Sequence, residues 1–180
     1  PLDNLDNVER VLRVLNDPRG FGFAARRMTV STCGLVPGIE RFARIDLQIN
    51  LSISLHAADD ETRNRLMPVN RRYPLAELIS ACEDYLAAGG RKITFEYVLL
   101  KGVNDRPADA ERLARLARRL GAKVNLIAFS PVEGLPFERP DPEAASAFAG
   151  RLRNKGTAVT VRSSKGSDIQ AACGQLAGSP

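Results

Sequence analysis

The sequence predicts an α/β fold around a parallel sheet, arranged either as an open doubly wound sheet or as a segment of a barrel. Short β-rich runs alternate with segments of helical periodicity about four times along the 180 residues. Capping residues and glycines separate these segments. A 44% hydrophobic composition is sufficient for one core, and no apolar run reaches the ~18 residues of a membrane-spanning helix.

Helices are predicted where apolar residues recur at three- and four-residue spacing. The first covers residues 4–16, with apolar side chains from Leu5 to Leu15, and Pro18 and Gly20 follow its end. The other helical segments are residues 37–44, 59–67, 73–90, 106–121 and 141–156. Asp59 or Asp60 is expected to cap the helix predicted at residues 59–67.

Strands are predicted where β-branched and aromatic residues are concentrated. The β-rich segments are residues 26–34, 45–57, 91–100, 123–131 and 157–164. In parallel sheets the ligand site forms at the carboxyl ends of the strands. The sequence therefore predicts a site built from residues 31–34, 54–56, 99–104 and 128–131.

The composition restricts the classes of function. A net charge of +5 and a pI near 9.5 favour an anionic partner such as nucleic acid, although arginines on solvated helix faces explain the same charge. The chain has three widely spaced cysteines, no CxxC pair and one histidine, which argues against disulfides and against a metal or iron–sulfur site assembled locally. A reducing, cytoplasmic compartment is expected. The start at Pro1, without Met, predicts a piece of a longer protein.

The strand end with the clearest functional signal is the run Ser54–Leu55–His56. Ser54 and His56 lie on one side of an extended chain and Leu55 on the other, so a hydroxyl and an imidazole can face one ligand. As a general base, His56 would need a carboxylate partner, and Glu96 is the candidate if the two strands adjoin. The alternative is a structural histidine. Ser31 and its neighbours either bind a ligand or form a turn that closes the strand.

Two loops after the strands have both structural and functional interpretations. Asn104 with Asp105 is typical of turns and of the helix cap before Pro107. Residues 70–73, Asn-Arg-Arg-Tyr, combine a basic pair with an aromatic ring that can contact phosphate and base, whereas an ordinary surface loop is the slightly favoured interpretation.

Cys173 lies among small residues near the end of the sequence. Arg162 and Lys165 favour a thiolate, and the small neighbours leave room for a substrate. The pattern alone nevertheless favours a buried, inert thiol. Cys82 is expected to pack inside a helix, and Cys33 to line the site at its strand end.

Six segments in this order carry a resemblance to a known family: VSTCGLVPGI, SISLHA, NRRYPL, TFEYVLLKGVND, VNLIAFSP and VRSSKGSDIQAACGQL. Together they resemble the RlmN/Cfr family of radical-SAM RNA methyltransferases over residues 1–178, with the RlmN branch the closer match. The resemblance implies the later part of a partial (β/α) radical-SAM barrel, with a C-terminal strand and a tail that carries the catalytic cysteine. Residues 1–180 would form the C-terminal portion of the methyltransferase core, and the RNA-binding domain and cluster-binding motif would lie upstream.

The resemblance also implies roles for individual residues. Ser31 and the Ser54–Leu55–His56 run match positions that bind S-adenosylmethionine (SAM). Ser130 stands where the family usually has asparagine and is expected to bind SAM with fewer groups. Cys173 matches the cysteine that is methylated and then carries the one-carbon unit to RNA.

The implied activity is methylation of C2 of an adenine in 23S rRNA, and also in tRNA. Its cofactors would be SAM and a [4Fe-4S] cluster whose ligands lie upstream of this sequence. An electron donor would be a further partner, and the oligomeric state would be a monomer. The alternatives are a C8-specific Cfr-like rRNA methyltransferase, a (β/α)-barrel lyase or aldolase-like enzyme, and a noncatalytic RNA-binding module. No Schiff-base lysine or glycine-rich phosphate loop is evident for the barrel alternative.

Overall fold

The protein is described by a computed structural model that covers residues 1–132 and 134–162. Five strands form one parallel sheet in the order β1-β2-β3-β4-β5. The strands are β1 (Thr29–Thr32), β2 (Asn50–Ser54), β3 (Ile93–Leu99), β4 (Lys123–Ala128) and β5 (Val159–Arg162). Because neighbours in sequence are neighbours in the sheet, the described strands follow barrel order and show no doubly wound reversal.

Six α-helices connect and flank the strands in the described part of the chain. They are α1 (Leu5–Asn16), α2 (Val36–Phe42), α3 (Asp60–Leu66), α4 (Leu75–Ala87), α5 (Pro107–Arg119) and α6 (Pro142–Asn154). Short 3-10 turns occupy Leu2–Asn4, Ala25–Arg27 and Pro68–Arg71. No described helix has the length and apolar character needed to cross a membrane.

The two faces of the sheet differ in chemistry. Alternate residues of the strands point to one face, where Leu51, Phe95 and Leu126 pack with helix residues such as Leu78 and Leu113 in a single core. This arrangement follows from right-handed crossovers that all advance in one direction, which place the helices on the same face. The opposite face, called the open face below, is mostly polar, with Val98 and Ile127 as apolar exceptions. It carries Ser31, Ser52, Ser54, Thr94, Glu96, Asn125 and Thr160.

The predicted elements are confirmed, and their ends differ for local reasons. The second strand is shorter than the predicted residues 45–57, because the backbone N–H groups of Leu47 and Ile49 donate within their own loop, to Ile45 and Leu47. At the other end, both Leu55 N–H and His56 N–H reach the carbonyl of Glu96, so the regular ladder ends at Ser54.

The predicted cap of α3 is confirmed, and so is the turn at Asn104–Asp105, where Asp105 Oδ1 accepts from Gly102 N–H at 2.9 Å, whereas the predicted cap of α5 is wrong. The Asp59 carboxylate accepts a hydrogen bond from Thr62 N–H at 2.8 Å. Asn104, however, does not cap α5. Asp109 at the third helical position instead accepts from Arg106 N–H at 3.0 Å, which leaves the Asn104 amide for contacts with the strand ends.

Candidate functional site

The carboxyl ends of β1 and β2 lie side by side and bring two of the predicted site residues to one edge. Thr32 pairs with Ile53, so Ser31 and Ser54 both lie within one residue of this ladder position. The Ser31 side chain is exposed and that of Ser54 is partly buried, on the open face. Thr32 Oγ1 accepts from Gly34 N–H at 3.2 Å, which is the closing turn considered as the structural interpretation of this strand end.

Arg63, which is fully buried, holds these two strand ends together. Its guanidinium donates to the carbonyl oxygens of Cys33 (2.8 Å), Leu55 (3.1 Å) and Ser54 (3.4 Å). The planar fork suits this task because its donors diverge in one plane toward several acceptors. Burial lowers the pKa of Arg63 from its ordinary value, and the charge of Cys33, followed by that of Asp60, opposes that shift.

A network of amides supports the buried guanidinium. Arg63 Nη1 donates to Asn70 Oδ1 at 2.7 Å, and Asn70 Nδ2 donates to Asp60 Oδ1 and Asn64 Oδ1, both at 2.8 Å. Asn70 is only 1% exposed. Asp60 therefore compensates the positive charge through an intervening amide rather than through a direct ion pair.

His56 is a structural hydrogen-bonder in this arrangement. Its Nδ1 accepts from Val98 N–H at 3.1 Å, so the ring proton sits on Nε2. Burial, together with the nearby charge of Arg63, lowers the pKa of His56 to about 4. The ring is neutral at pH 7. Its backbone adopts φ 56°, a left-handed conformation that is uncommon for a residue other than glycine and is often found at functional sites.

Glu96 is not the partner of His56, although β2 and β3 adjoin as that hypothesis requires. Its Oε1 accepts from Ser52 Oγ and from Asn125 Nδ2, both at 3.0 Å. The carboxylate thus lies at the centre of the open face, with one donor on each neighbouring strand. It lies level with Ser54, its pairing partner in the ladder.

Asn104, 1% exposed, fixes the backbone around His56. Its Nδ2 donates to the carbonyls of His56 and Val98, both at 2.8 Å, and its Oδ1 accepts from Leu100 N–H at 2.7 Å. One amide therefore connects the carboxyl ends of β2 and β3.

The remaining predicted site residues lie in contrasting environments. The Leu55 side chain is fully buried in the core, so this residue can contribute to a ligand only through its backbone. Ser130 is 6% exposed, and its buried hydroxyl has no hydrogen-bond partner among the described residues. A buried hydroxyl without a protein partner is available to a ligand at this candidate site. Cys173 lies outside the described residues.

Sequence reasoning missed Arg63 and the clamping role of Asn104. Arg63 stands in the highly charged segment DDETRNRLM, whose composition is typical of a solvated helix, so no local signal distinguishes it. Glu96 had a usable signal. The segment ITFEYVL alternates buried and partly buried residues, which places its one acidic residue on the face opposite the core.

Comparison with known proteins gives a consistent result. The radical SAM superfamily model matches residues 1–117. The probable dual-specificity RNA methyltransferase RlmN of Moorella thermoacetica is 51% identical over 176 residues, covering 98% of this chain and 50% of that protein. The dual-specificity RNA methyltransferase RlmN of Geobacter sulfurreducens is 51% identical over 178 residues, covering 99% and 49%. The chain spans about half the length of the curated relatives it matches.

Solved structures show the same fold. The crystal structure of a radical SAM methyltransferase from Sphaerobacter thermophilus has a TM-score of 0.92 and 51% identity, covering 97% of this chain and 51% of that one. A domain of pyruvate-formate lyase-activating enzyme from Bacteroides vulgatus has a TM-score of 0.68 at 15% identity, covering 90% and 93%, and shows the fold alone. The predicted partial (β/α) barrel is confirmed, and the chain belongs to the radical SAM superfamily.

Proposed function

We propose that the protein containing this chain is a radical-SAM RNA methyltransferase that methylates C2 of an adenine in 23S rRNA and in tRNA. The observation that carries the proposal is 51% identity, over 98% of the chain, to a protein named a probable dual-specificity RNA methyltransferase. The arrangement of polar groups at the strand ends supports it. We place the enzyme in the cytoplasm, where ribosomal RNA is found, and expect a monomer.

The residues at the carboxyl edge of the sheet fit SAM. The ligand has a ribose diol, an amino-acid end, an adenine ring and a cationic sulfonium, and it therefore needs donors, acceptors and an apolar surface. Ser31 and Ser54 offer hydroxyls, and Ser130 offers a buried hydroxyl without a partner. Val98 and Ile127, paired on the open face, offer partly buried apolar surface for a ring.

His56 contributes as a neutral donor in this proposal. Its Nδ1 is occupied by Val98 N–H, and its protonated Nε2 is the ring atom left to donate to a ligand oxygen. Leu55, whose side chain is buried in the core, can contribute only backbone groups to the ligand. When bound, SAM together with a reduced [4Fe-4S] cluster and an electron donor supplies the methyl group and the means of activating it.

Cys173 is the proposed carrier of the methyl group. Adenine C2 is electron-poor and does not attack a sulfonium methyl group directly, whereas a cysteine thiolate does. The methyl group on the Cys173 sulfur would lose one hydrogen atom to the radical chemistry that SAM and the reduced cluster supply, and its carbon would then bond to C2 of the ring. The ring would give up one electron and the C2 proton, and a second thiol would displace the Cys173 sulfur as a disulfide, which leaves the carbon on the RNA as a methyl group after protonation. The resemblance of SDIQAACGQL to the family motif supports this role.

The test uses the full-length protein with its cluster reconstituted, SAM carrying a deuterated methyl group, and unmodified 23S rRNA and tRNA transcripts. Mass spectrometry should find 2-methyladenosine in the RNA and a methyl group on the peptide that contains Cys173. A product of 8-methyladenosine would replace the proposal by the C8-specific alternative. Absence of any RNA methylation under reducing turnover conditions would contradict both.

A further inference from the structure

We propose that Arg71, Arg72 and Tyr73 form a contact surface for the RNA, with the two guanidiniums on the phosphate backbone and the tyrosine ring against a base. This inference rests on the proposed function, in which RNA is the substrate. It assigns part of the binding of that substrate to residues 71–74, here called the basic loop, which begins with the last residue of the 3-10 turn Pro68–Arg71.

The basic loop is placed at the rim of the candidate site. Asn70, immediately before it, accepts from Arg63 Nη1 at 2.7 Å. The same guanidinium donates to the carbonyls of Cys33 and Ser54 at the strand ends. The loop therefore begins one residue beyond a side chain that binds directly to the group joining the ends of β1 and β2.

The loop is also fixed at both of its ends. Asn70 is buried and donates to Asp60 Oδ1, and the same oxygen accepts from Leu75 N–H at 2.9 Å, at the start of α4. Residues 71–74 thus lie between two anchors on one carboxylate. A surface ordered before binding loses less conformational freedom when a partner arrives.

The charges of the basic loop are not neutralised by the described residues. Both Arg71 and Arg72 are exposed, and in residues 1–132 and 134–162 no carboxylate oxygen lies within 4.0 Å of either guanidinium. Arg119, in contrast, binds Glu83 through two nitrogens at 2.6 and 2.8 Å. Unpaired guanidiniums are the groups that displace counterions from a nucleic-acid backbone.

An aromatic ring beside these charges favours RNA over a simple anion as the partner. The Arg72 guanidinium carbon lies 5.4 Å from the centroid of the Tyr73 ring, and the ring is partly buried against the core. Planar guanidinium and aromatic groups are the surfaces on which unpaired bases stack. An adenine must leave the stacked RNA bases to reach the site, and such surfaces beside the site can hold the unstacked bases.

The experiment measures RNA affinity of the full-length protein by fluorescence anisotropy, using an unmodified tRNA transcript and a 23S rRNA segment, across a salt series. The test variant is Arg71→Ala/Arg72→Ala. The matched control is Arg115→Ala/Arg151→Ala, which removes the same charge from exposed positions in the second halves of α5 and α6. SAM affinity and thermal unfolding are measured in parallel.

We expect the test variant to lose about tenfold in RNA affinity and to flatten the log–log salt dependence by roughly 0.7 per lost phosphate contact, with SAM affinity unchanged. The control should stay within about twofold of wild type. Tyr73→Leu, which keeps the apolar packing, should lower RNA affinity about fivefold without changing the salt dependence.

The outcomes separate this inference from the proposed function. If the control loses as much affinity as the test variant, binding depends on diffuse charge and the inference is overturned. Unchanged binding by the test variant, in a wild type that binds and methylates RNA, overturns the inference alone. If wild type binds neither RNA, both this inference and the proposed function fail.

Discussion

Arg63 Nη2, from helix α3, lies 2.8 Å from the carbonyl oxygen of Cys33, the residue that follows β1. Because the same side chain also binds the carbonyls of Ser54 and Leu55, one buried cation fixes the spacing of the strand ends that carry most of the predicted ligand groups. Without the guanidinium, the Cys33 and Ser54 carbonyls would need water or another donor, whereas the Leu55 carbonyl also accepts from Ala57 N–H at 2.8 Å.

The first prediction concerns the loss of this cation. Arg63→Met keeps much of the side-chain volume but removes the guanidinium donor from the Cys33 and Ser54 carbonyls and from the Asn70 amide oxygen, whereas the Leu55 carbonyl keeps Ala57 N–H at 2.8 Å. We expect the free energy of unfolding to fall by about 2–4 kcal/mol, as when one partner of a buried charged network is removed. Urea unfolding measures the loss, and calorimetric titration with SAM measures the accompanying fall in affinity.

Arg63→Lys distinguishes position from charge. Lysine keeps the positive charge but cannot reach acceptors in several directions at once. SAM affinity should therefore fall for the lysine variant as well, while stability recovers in part. Full recovery of SAM affinity with lysine would contradict a positioning role for the guanidinium fork.

The second prediction concerns pH. Burial lowers the pKa of His56 to about 4, below the value near 6.5 of an unfolded histidine. Between pH 4 and 6.5 the unfolded chain therefore binds more protons than the folded one, so the folded state loses stability as pH falls through this window and regains it above. The contribution of this one group is at most about 3 kcal/mol.

His56→Asn is the control for that pH dependence. Asparagine tolerates the left-handed backbone, and its Oδ1 can accept from Val98 N–H in place of the ring nitrogen. The difference in unfolding free energy between pH 7 and pH 5 should be smaller in the variant than in wild type. An equal difference in both proteins would assign the pH dependence to other groups.

The third prediction concerns the two described cysteines. The Cys33 side chain is exposed at the strand end, whereas burial raises the pKa of the Cys82 thiol to about 12. Thiolate is the form that reacts with alkylating agents. Brief treatment of the folded protein with iodoacetamide, followed by peptide mass spectrometry, should modify Cys33 and leave Cys82 intact. SAM should slow the modification of Cys33, and equal rates with and without SAM would place the ligand away from this edge.

The fourth prediction concerns Glu96. In Glu96→Gln the amide oxygen can accept from both Ser52 and Asn125, so the fold should be retained and the melting temperature should change little. The variant removes only the negative charge from the open face. If that charge faces the cationic ligand, SAM affinity should fall at least about tenfold, as expected for one charge-assisted hydrogen bond. Unchanged affinity would make Glu96 a structural residue of the sheet.

Much of the fold could be predicted because its signals are local. The apolar spacing of α4 and the alternation of β3 each identify their own element, and the repeated strand–helix order implies a parallel sheet. The same order predicts that Ser31, Ser54 and Ser130 lie at the carboxyl edge of the sheet, without any knowledge of side-chain contacts.

The connections within the site could not be predicted in the same way. Arg63 reaches Cys33 across 30 positions of sequence, and Asn104 reaches the His56 carbonyl across 48. Neither residue differs in local pattern from a solvated arginine or a turn asparagine. Whether Glu96 paired with His56 or with Asn125 depended on register and rotamer, which no alternation of residue types encodes.

The fifth prediction concerns Cys173, whose proposed role rests on the resemblance and on the chemistry of methyl transfer. With Cys173→Ala in the full-length protein, SAM binding should survive, because Ser31, Ser54, His56 and Ser130 are unchanged. RNA methylation should be lost completely, since no other sulfur in residues 1–180 stands in the matching motif. Titration with SAM and mass spectrometry of the RNA measure the two effects separately. Continued methylation at C2 by this variant would refute the methyl-carrier role, whereas loss of SAM binding would indicate that the cysteine helps to form the cofactor site.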